Sequence, residues 1–366
     1  MIFPPASCPR LVVKVGSALL VDPDGQIRRE WLAGLVRDIA GRMRAGQQVV
    51  IVSSGAIALG ARRLGLAKGG RASLDDAQAA AATGQIALAG VWAALLEAEG
   101  LVAAQMLVTL DDLEDRRRYL NASATLARLM ALRAVAVVNE NDSVATAEIR
   151  FGDNDRLAAR VAQAAGARGV VLLSDVDGLY DRNPAGPGAM HVARIQRIDA
   201  VAHMADTASA SGMGSGGMVS KIAAARIATA AGIDLAISSG RVDRPLSGDH
   251  RHSLFVAEDR EVSARKAWLG GGLTTKGAIH VDAGAAGALA KGGSLLAAGA
   301  VRVEGKFGRG DVVAVEGPSG IIARGLAEYD AADAAALVGR RSDEHAAILG
   351  YAPRTALVHR SHLVML

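Results

Sequence analysis

VVIVSSGAIALG, residues 49 to 60, sets out the fold in miniature. Four apolar residues, three of them valine, run unbroken into Ser53, Ser54 and Gly55, and an apolar segment of helical spacing follows. A strand buried on both faces reads as such a continuous run, because nothing on either side of it faces water. The same unit recurs along the chain. LVVKV (11 to 15), QQVVIV (47 to 52), AVAVV (134 to 138), GVVLL (169 to 173) and IDLAI (233 to 237) are the strands it predicts. Helical segments alternate with them, among them REWLAGLVRDIAGRMRAG and MVSKIAAARIATAAG, each closed by a glycine suited to a C-terminal cap. From residue 10 to about 240 this alternation predicts an α/β fold, a mostly parallel sheet sandwiched by helices. Ligands of such sheets bind in the crevice beyond the carboxyl ends of the strands.

Composition bounds the rest. At 366 residues, 51% hydrophobic and 21% charged, the chain is globular and long enough for two domains. Forty-one Lys and Arg against 37 Asp and Glu leave a net charge of +4, so charge does not call for a nucleic-acid partner. The lone Cys8 cannot form an internal disulfide. No run of about eighteen uninterrupted apolar residues is visible, and the start MIFPPASCPR lacks the pattern of a secretory signal. The expectation is a cytoplasmic enzyme without a membrane partner.

Near residue 270 the pattern changes. WLGGGLTTKG breaks both periods, and short strands and turns follow: GAIHVD, GAVRVEGKFGRGDVVAVEG and SGIIARG, with short helices at GAAGALAKG and DAADAAALVG. This predicts a small β-barrel or β-rich module. The division expected is a domain at 1–258, a linker at 259–274 and a second domain at 275–366.

Polar clusters stand where the crevice rule places chemistry. Lys14 lies inside an apolar strand and is followed by Gly16 and Ser17; it either snorkels at a sheet edge or delivers a point charge to a phosphate. Ser53 and Ser54 serve as a helix N-cap or help hold an anion at a helix N-terminus. VVNENDSVATAEIRFGDND is the densest cluster, with Asn139, Glu140, Asn141 and Asp142 at one strand end and Asp153, Asn154 and Asp155 at the next helix start. Its middle, VATAEIRF, alternates as a hairpin would. One residue of the triplet suffices to cap a helix, which leaves two for other work. Ser174 and Asp175 end another strand. In GMGSGGMVSKI, the G-x-G-x-x-G of Gly212, Gly214 and Gly217 follows no strand, so it is not a dinucleotide fingerprint. It still reads as a glycine loop feeding a helix N-terminus, with Lys221 one turn inside, and that suits phosphate. No G-x-x-x-x-G-K-[ST] occurs.

Taken in order, VVKVGS, VIVSSGAIALG, VNENDSVATAEIRFGDND, LLSDVDGLYDRNP and SGMGSGGMVSKI resemble the amino acid kinase family, and KFGRGDVVAV with a final ILGY is similar to a PUA domain. The resemblance implies ATP-dependent phosphorylation of the side-chain carboxylate of L-glutamate, the first step of proline biosynthesis, with Mg²⁺. It assigns Lys14, Ser174, Asp175 and the run Ser215, Gly216, Gly217, Met218, Val219, Ser220 and Lys221 to ATP. Ser54, Asp142 and Asn154 go to glutamate, Asn154 as a donor to a substrate carboxylate and Asp142 as partner of the ammonium. Lys14, Lys221 and Asp155 become catalytic, the aspartate fixing the two lysines; Asp153 is left as the cap. Arg150 stands where some relatives have lysine. The resemblance also implies a homo-oligomer, feedback inhibition by proline and coupling to glutamyl phosphate reductase. Two alternatives stay open: a sister kinase acting on N-acetylglutamate or aspartate, and an RNA-binding protein acting through the PUA-like tail. The tail lacks the basic and aromatic cluster that RNA binding calls for.

Overall fold

Five apolar runs become the interior of one sheet. The computed structural model describes residues 1–22, 25–144, 154–184, 186–205, 217–257, 275–351 and 353–365. The chain divides into two compact units, Met1–Asp115 with Asn121–Arg260, and Arg116–Leu120 with Glu261–Leu366. The linker expected at 259–274 lies outside the described residues.

The larger unit runs β1 (Arg10–Val15), α1 (Ser17–Leu20), α2 (Arg29–Arg44), β2 (Gln48–Val52), α3 (Ala56–Leu64), α4 (Leu74–Ala98) and β3 (Ala103–Val108). It continues with α5 (Leu110–Glu114), α6 (Arg116–Ala131, its first turn counted with the smaller unit), β4 (Val135–Glu140), α7 (Asn154–Ala165) and β5 (Gly169–Ser174). Three short strands follow, β6 (Leu179–Tyr180), β7 (His191–Val192) and β8 (Arg194–Ile195), then α8 (Met218–Ala230), β9 (Asp234–Ser239) and β10 (His252–Phe255). The main sheet has the order β3-β4-β2-β1-β5-β9-β10-β8. It is parallel from β3 through β9, and β10 reverses against β9. Lys14 lies opposite Val52 on one side and Leu172 on the other, so β1 is central and the strand ends finish level. An edge position for Lys14 is thereby excluded. Val13, Val15, Ile51, Val171 and Leu173 are buried in the main core with Leu35 and Trp92.

Helix α4 has a mean hydropathy of 1.6 over its most apolar window and is long and apolar enough, by length and composition, to cross a membrane. The sequence reading found no such segment. Part of its apolar surface is taken up inside the protein: Leu88, Val91, Trp92 and Leu96 join the main core, and Ala80 and Ala81 pack with Ile57 and Ala61 of α3. The two helices touch backbone to backbone. A Cβ built on Gly84 would stand 1.8 Å from the carbonyl oxygen of Ala56, and one on Gly60 would stand 1.8 Å from that of Ala80. No flexible side chain can yield there. Gly84→Ala should therefore cost about 1–3 kcal/mol as overpacking, seen as a lowered thermal midpoint. An unchanged midpoint would mean that α3 and α4 do not meet at these glycines.

The smaller unit holds a mixed sheet of β11 (Gly277–Val281), β12 (Ala300–Gly305), β13 (Val312–Gly317), β14 (Gly320–Leu326) and β15 (Leu363–Met365), ordered β12-β11-β13-β14-β15. Its own core includes Ile279, Val313, Val315, Leu337, Leu357 and Val358. Helices α9 (Ala283–Ala290) and α10 (Ala331–Leu337) start where Asp282 and Asp330 accept bonds from the backbone N–H of Ala285 and Asp333. Replacing either cap by alanine exposes a donor that the carboxylate now satisfies.

Candidate active site

The carboxyl ends of β1, β2, β4 and β5, with the first turns of α7 and α8, bring the polar clusters together. Helix α7 packs against β1 and α8 through small residues, Ala158, Ala162, Ala224 and Ala225 among the buried ones, so side chains on the two helices can meet. Asp155, at the start of α7, is 1% exposed. The Lys14 Nζ lies 2.6 Å from its Oδ1 and the Lys221 Nζ 3.1 Å from its Oδ2. Burial alone would raise the Asp155 pKa; the two ammonium groups and their hydrogen bonds outweigh it and hold the carboxyl below its ordinary range. The three groups together carry net positive charge, the sign that suits a phosphoryl group.

Asn154 faces the other way. Its amide nitrogen lies 2.6 Å from the Ser53 carbonyl oxygen, 2.8 Å from the Ser54 Oγ and 3.0 Å from the Asn139 Oδ1. The Ser53 carbonyl can only accept, so the amide orientation is fixed and both N–H groups are engaged. Its Oδ1 is buried with no hydrogen-bond partner among the described residues. The donor role expected for Asn154 toward a substrate carboxylate is therefore revised: what it offers is an acceptor.

Asp142 is 8% exposed, and its Oδ1 also lacks a partner among the described residues. Burial pushes its pKa up to about 6, against a smaller opposite pull from Arg71. Each of these buried acceptors calls for an N–H donor, and the carboxylate for a cationic one.

Two supports were not singled out in the sequence. Gln85 of α4 accepts from the Asn139 Nδ2 at 2.7 Å, and the Trp92 Nε1 donates to the Ser53 Oγ at 2.9 Å. Both lie in an alanine-rich helix, and their facing toward the strand ends could be found only from the packing of α4. Gly55 carries the chain from Ser54 into α3 at φ 98°, a left-handed conformation that glycine adopts without strain.

Of the other predicted residues, Ser174 donates to the Asp175 Oδ1 at 3.0 Å beyond β5. Gly217 precedes α8 with no side-chain cap, Met218 is buried, Val219 is exposed and Ser220 is half-buried on its first turn. The hairpin expected at 144–151 falls, Val144 apart, outside the described residues, as do Arg150, Asp153, Gly212, Gly214, Ser215 and Gly216. Among the described residues no group of three or more His, Cys, Asp or Glu could hold a metal ion.

Comparison with known proteins identifies the family. Residues 9–239 match the amino acid kinase family, and residues 277–349 match the PUA domain. The chain is 73% identical to the glutamate 5-kinase of Sphingopyxis alaskensis, with 100% of both chains covered. It is 63% identical to the glutamate 5-kinase of Novosphingobium aromaticivorans over 99% of this chain and 97% of that one. With the glutamate 5-kinase of Zymomonas mobilis the identity is 58%, over 100% of this chain and 93% of the relative. The chain therefore belongs to the amino acid kinase family and carries a PUA domain behind its kinase domain.

Proposed function

We propose that the protein transfers the γ-phosphoryl group of ATP to the side-chain carboxylate of L-glutamate, forming L-glutamyl 5-phosphate as the first step of proline biosynthesis. The observation that carries this reading is the buried aspartate holding one lysine on each oxygen, at the sheet end where such folds bind ligands. The names of the full-length relatives support the choice of substrate.

The nucleophile needs no base, since a glutamate side chain titrates near about 4.3 and is ionised at neutral pH. Alignment and charge neutralisation remain for the protein to supply. Lys14 and Lys221 face the charge that spreads over the equatorial oxygens, and Asp155 keeps two like charges close together by sitting between them. The N–H groups at the start of α8 add to that field, with Ser174 and Asp175 on the nucleotide side. Asp142 and the Asn154 Oδ1 receive the α-ammonium, beside the Ser54 hydroxyl. Mg²⁺ has no protein cage of three side chains among the described residues. When bound with ATP it would be carried largely by the nucleotide phosphates and would neutralise part of their charge.

N-acetylglutamate has no ammonium to pair with Asp142, and aspartate is one methylene shorter. Initial rates of ADP formation with L-glutamate, L-aspartate and N-acetylglutamate test the reading. It holds if glutamate is preferred by a wide margin and fails if the acetylated compound is the better substrate.

A pH dependence follows. Asp142 must be ionised to hold the ammonium, and in the free protein burial sets its pKa at about 6. As pH falls through that value the proton competes with substrate, so KM for glutamate should rise up to about tenfold per pH unit below it. The kcat should change little over the same range. In Asp142→Asn the inflection should vanish and KM should be high throughout. An inflection unchanged in that variant would assign it to another group.

Cytoplasmic location, a homo-oligomeric state, feedback inhibition by proline in the glutamate pocket and delivery of the acyl phosphate to glutamyl phosphate reductase complete the proposal. The last has a chemical motive, because an acyl phosphate with a free amine in the same molecule cyclises readily.

A further inference from the structure

Helix α4 reaches the site through two side chains on one face. Gln85 and Trp92 stand seven residues apart, two helical turns, so they point the same way. Gln85 accepts from the Asn139 Nδ2 at 2.7 Å, and the Trp92 Nε1 donates to the Ser53 Oγ at 2.9 Å. Ser53 follows β2 and Asn139 lies near the end of β4, its neighbour in the sheet. Both residues also accept from the Asn154 Nδ2, Ser53 through its carbonyl oxygen at 2.6 Å and Asn139 through its Oδ1 at 3.0 Å. The residues that hold the Asn154 amide are thus braced from α4. Gly84, beside Gln85, meets the Ala56 carbonyl at the start of α3, which sets the height of the brace against the chain leaving Ser54.

These amides form a chain with one direction. The Asn139 Oδ1 accepts from the Glu140 backbone N–H at 2.9 Å as well as from Asn154, and neither donor can accept in return, so the Asn139 amide cannot turn over. Its Nδ2 therefore faces Gln85, and Gln85 presents its oxygen. Asn139 is 2% exposed, and an N–H group left there without an acceptor is costly. Without Gln85, the Asn139 side chain turns toward another acceptor and carries its Oδ1 away from Asn154. The Asn154 nitrogen has two N–H groups for three acceptors among the described residues, so the plane of its amide depends on where all three stand. A tilt of that plane moves the Asn154 Oδ1 at its other end.

We propose that Gln85 is a positioning residue for glutamate, which holds Asn139, and through it the Asn154 Oδ1, at the place where the substrate ammonium is received. This rests on the reading given above of Asp142 and Asn154 as the partners of that ammonium. Gln85 acts through Asn139 and needs no contact with the substrate.

The test uses the full-length protein with ATP, Mg²⁺ and L-glutamate, and with glutarate, which is glutamate without its amine, as competitor. Gln85→Met keeps the length of the side chain but offers Asn139 only a weak acceptor. It should raise KM for glutamate roughly five- to twentyfold, the effect of leaving one buried donor unsatisfied, with kcat and KM for ATP within about twofold. The inhibition constant of glutarate should stay within about twofold as well, since that compound has no N–H for the Asn154 Oδ1 to accept. Gln85→Glu should recover most of the loss, because a carboxylate accepts from the Asn139 Nδ2 as the amide does. The proposal fails if Gln85→Met leaves KM for glutamate unchanged, if it weakens glutarate as much as glutamate, or if Gln85→Glu is no better than Gln85→Met. A wild-type protein that neither phosphorylates glutamate nor binds it by calorimetry would overturn the functional reading, and this inference with it; a wild-type protein that does both leaves the variants to judge the inference alone.

Discussion

Lys221→Ala is expected to lower kcat by two to three orders of magnitude, about the loss seen when one preorganised donor is taken from a developing anion. Lys221 is 5% exposed on the first turn of α8, and its ammonium sits on one oxygen of Asp155 while Lys14 sits on the other. Its charge matters most when the phosphoryl group is between donor and acceptor, so KM for glutamate should move much less than kcat. The fold should tolerate the change, because Asp155 keeps Lys14 at 2.6 Å and no buried charge is left unopposed. Steady-state kinetics and a thermal melt read the two effects separately. A variant with normal kcat would remove Lys221 from the chemistry.

Asp155→Asn should do what Lys221→Ala does not, and damage stability as well as rate. The amide keeps the shape but leaves two buried ammonium groups facing each other without an anion. Removing one partner from a buried ionic cluster costs about 3–5 kcal/mol. The kcat should fall with it, since the lysines separate to relieve their repulsion. Added ATP should restore part of the lost thermal midpoint, because its phosphates supply negative charge at the same place. The pH dependence has a definite sign. The Asp155 carboxyl is held below its ordinary range, so its contribution to stability is present above the unfolded value and is lost as pH falls through the folded one. A variant that melts like wild type would show that the lysines do not need the aspartate.

The strands of the sheet interior were legible because burial on both faces leaves only apolar side chains: β1, β2, β4, β5 and β9 all begin and end within two residues of the runs that announced them. Strand β3, at the sheet edge, was not legible. AAQMLV has one buried residue, Val108, and its half-exposed pattern looks like loop. Strand β10 is four residues long and begins with His252 and Ser253, so neither apolar continuity nor alternation marks it. The lysine and carboxylate positions could be read because charged groups beside apolar strands demand a partner. The direction of the Asn154 amide could not, since it depends on a carbonyl 101 residues earlier in the chain.

The central claim is that a glutamate side-chain oxygen attacks the γ-phosphorus of ATP, and one isotope experiment decides it. L-Glutamate labelled with ¹⁸O in its side-chain carboxylate is incubated with the protein, ATP and Mg²⁺. The acyl phosphate formed cyclises by attack of its own amine on the acyl carbon, which breaks the carbon–oxygen bond and releases inorganic phosphate. Phosphorus NMR of that phosphate should show one ¹⁸O per molecule, carried over from glutamate in the new P–O bond. Unlabelled phosphate, formed with or without glutamate present, would mean that water is the acceptor and that the chain does not phosphorylate glutamate.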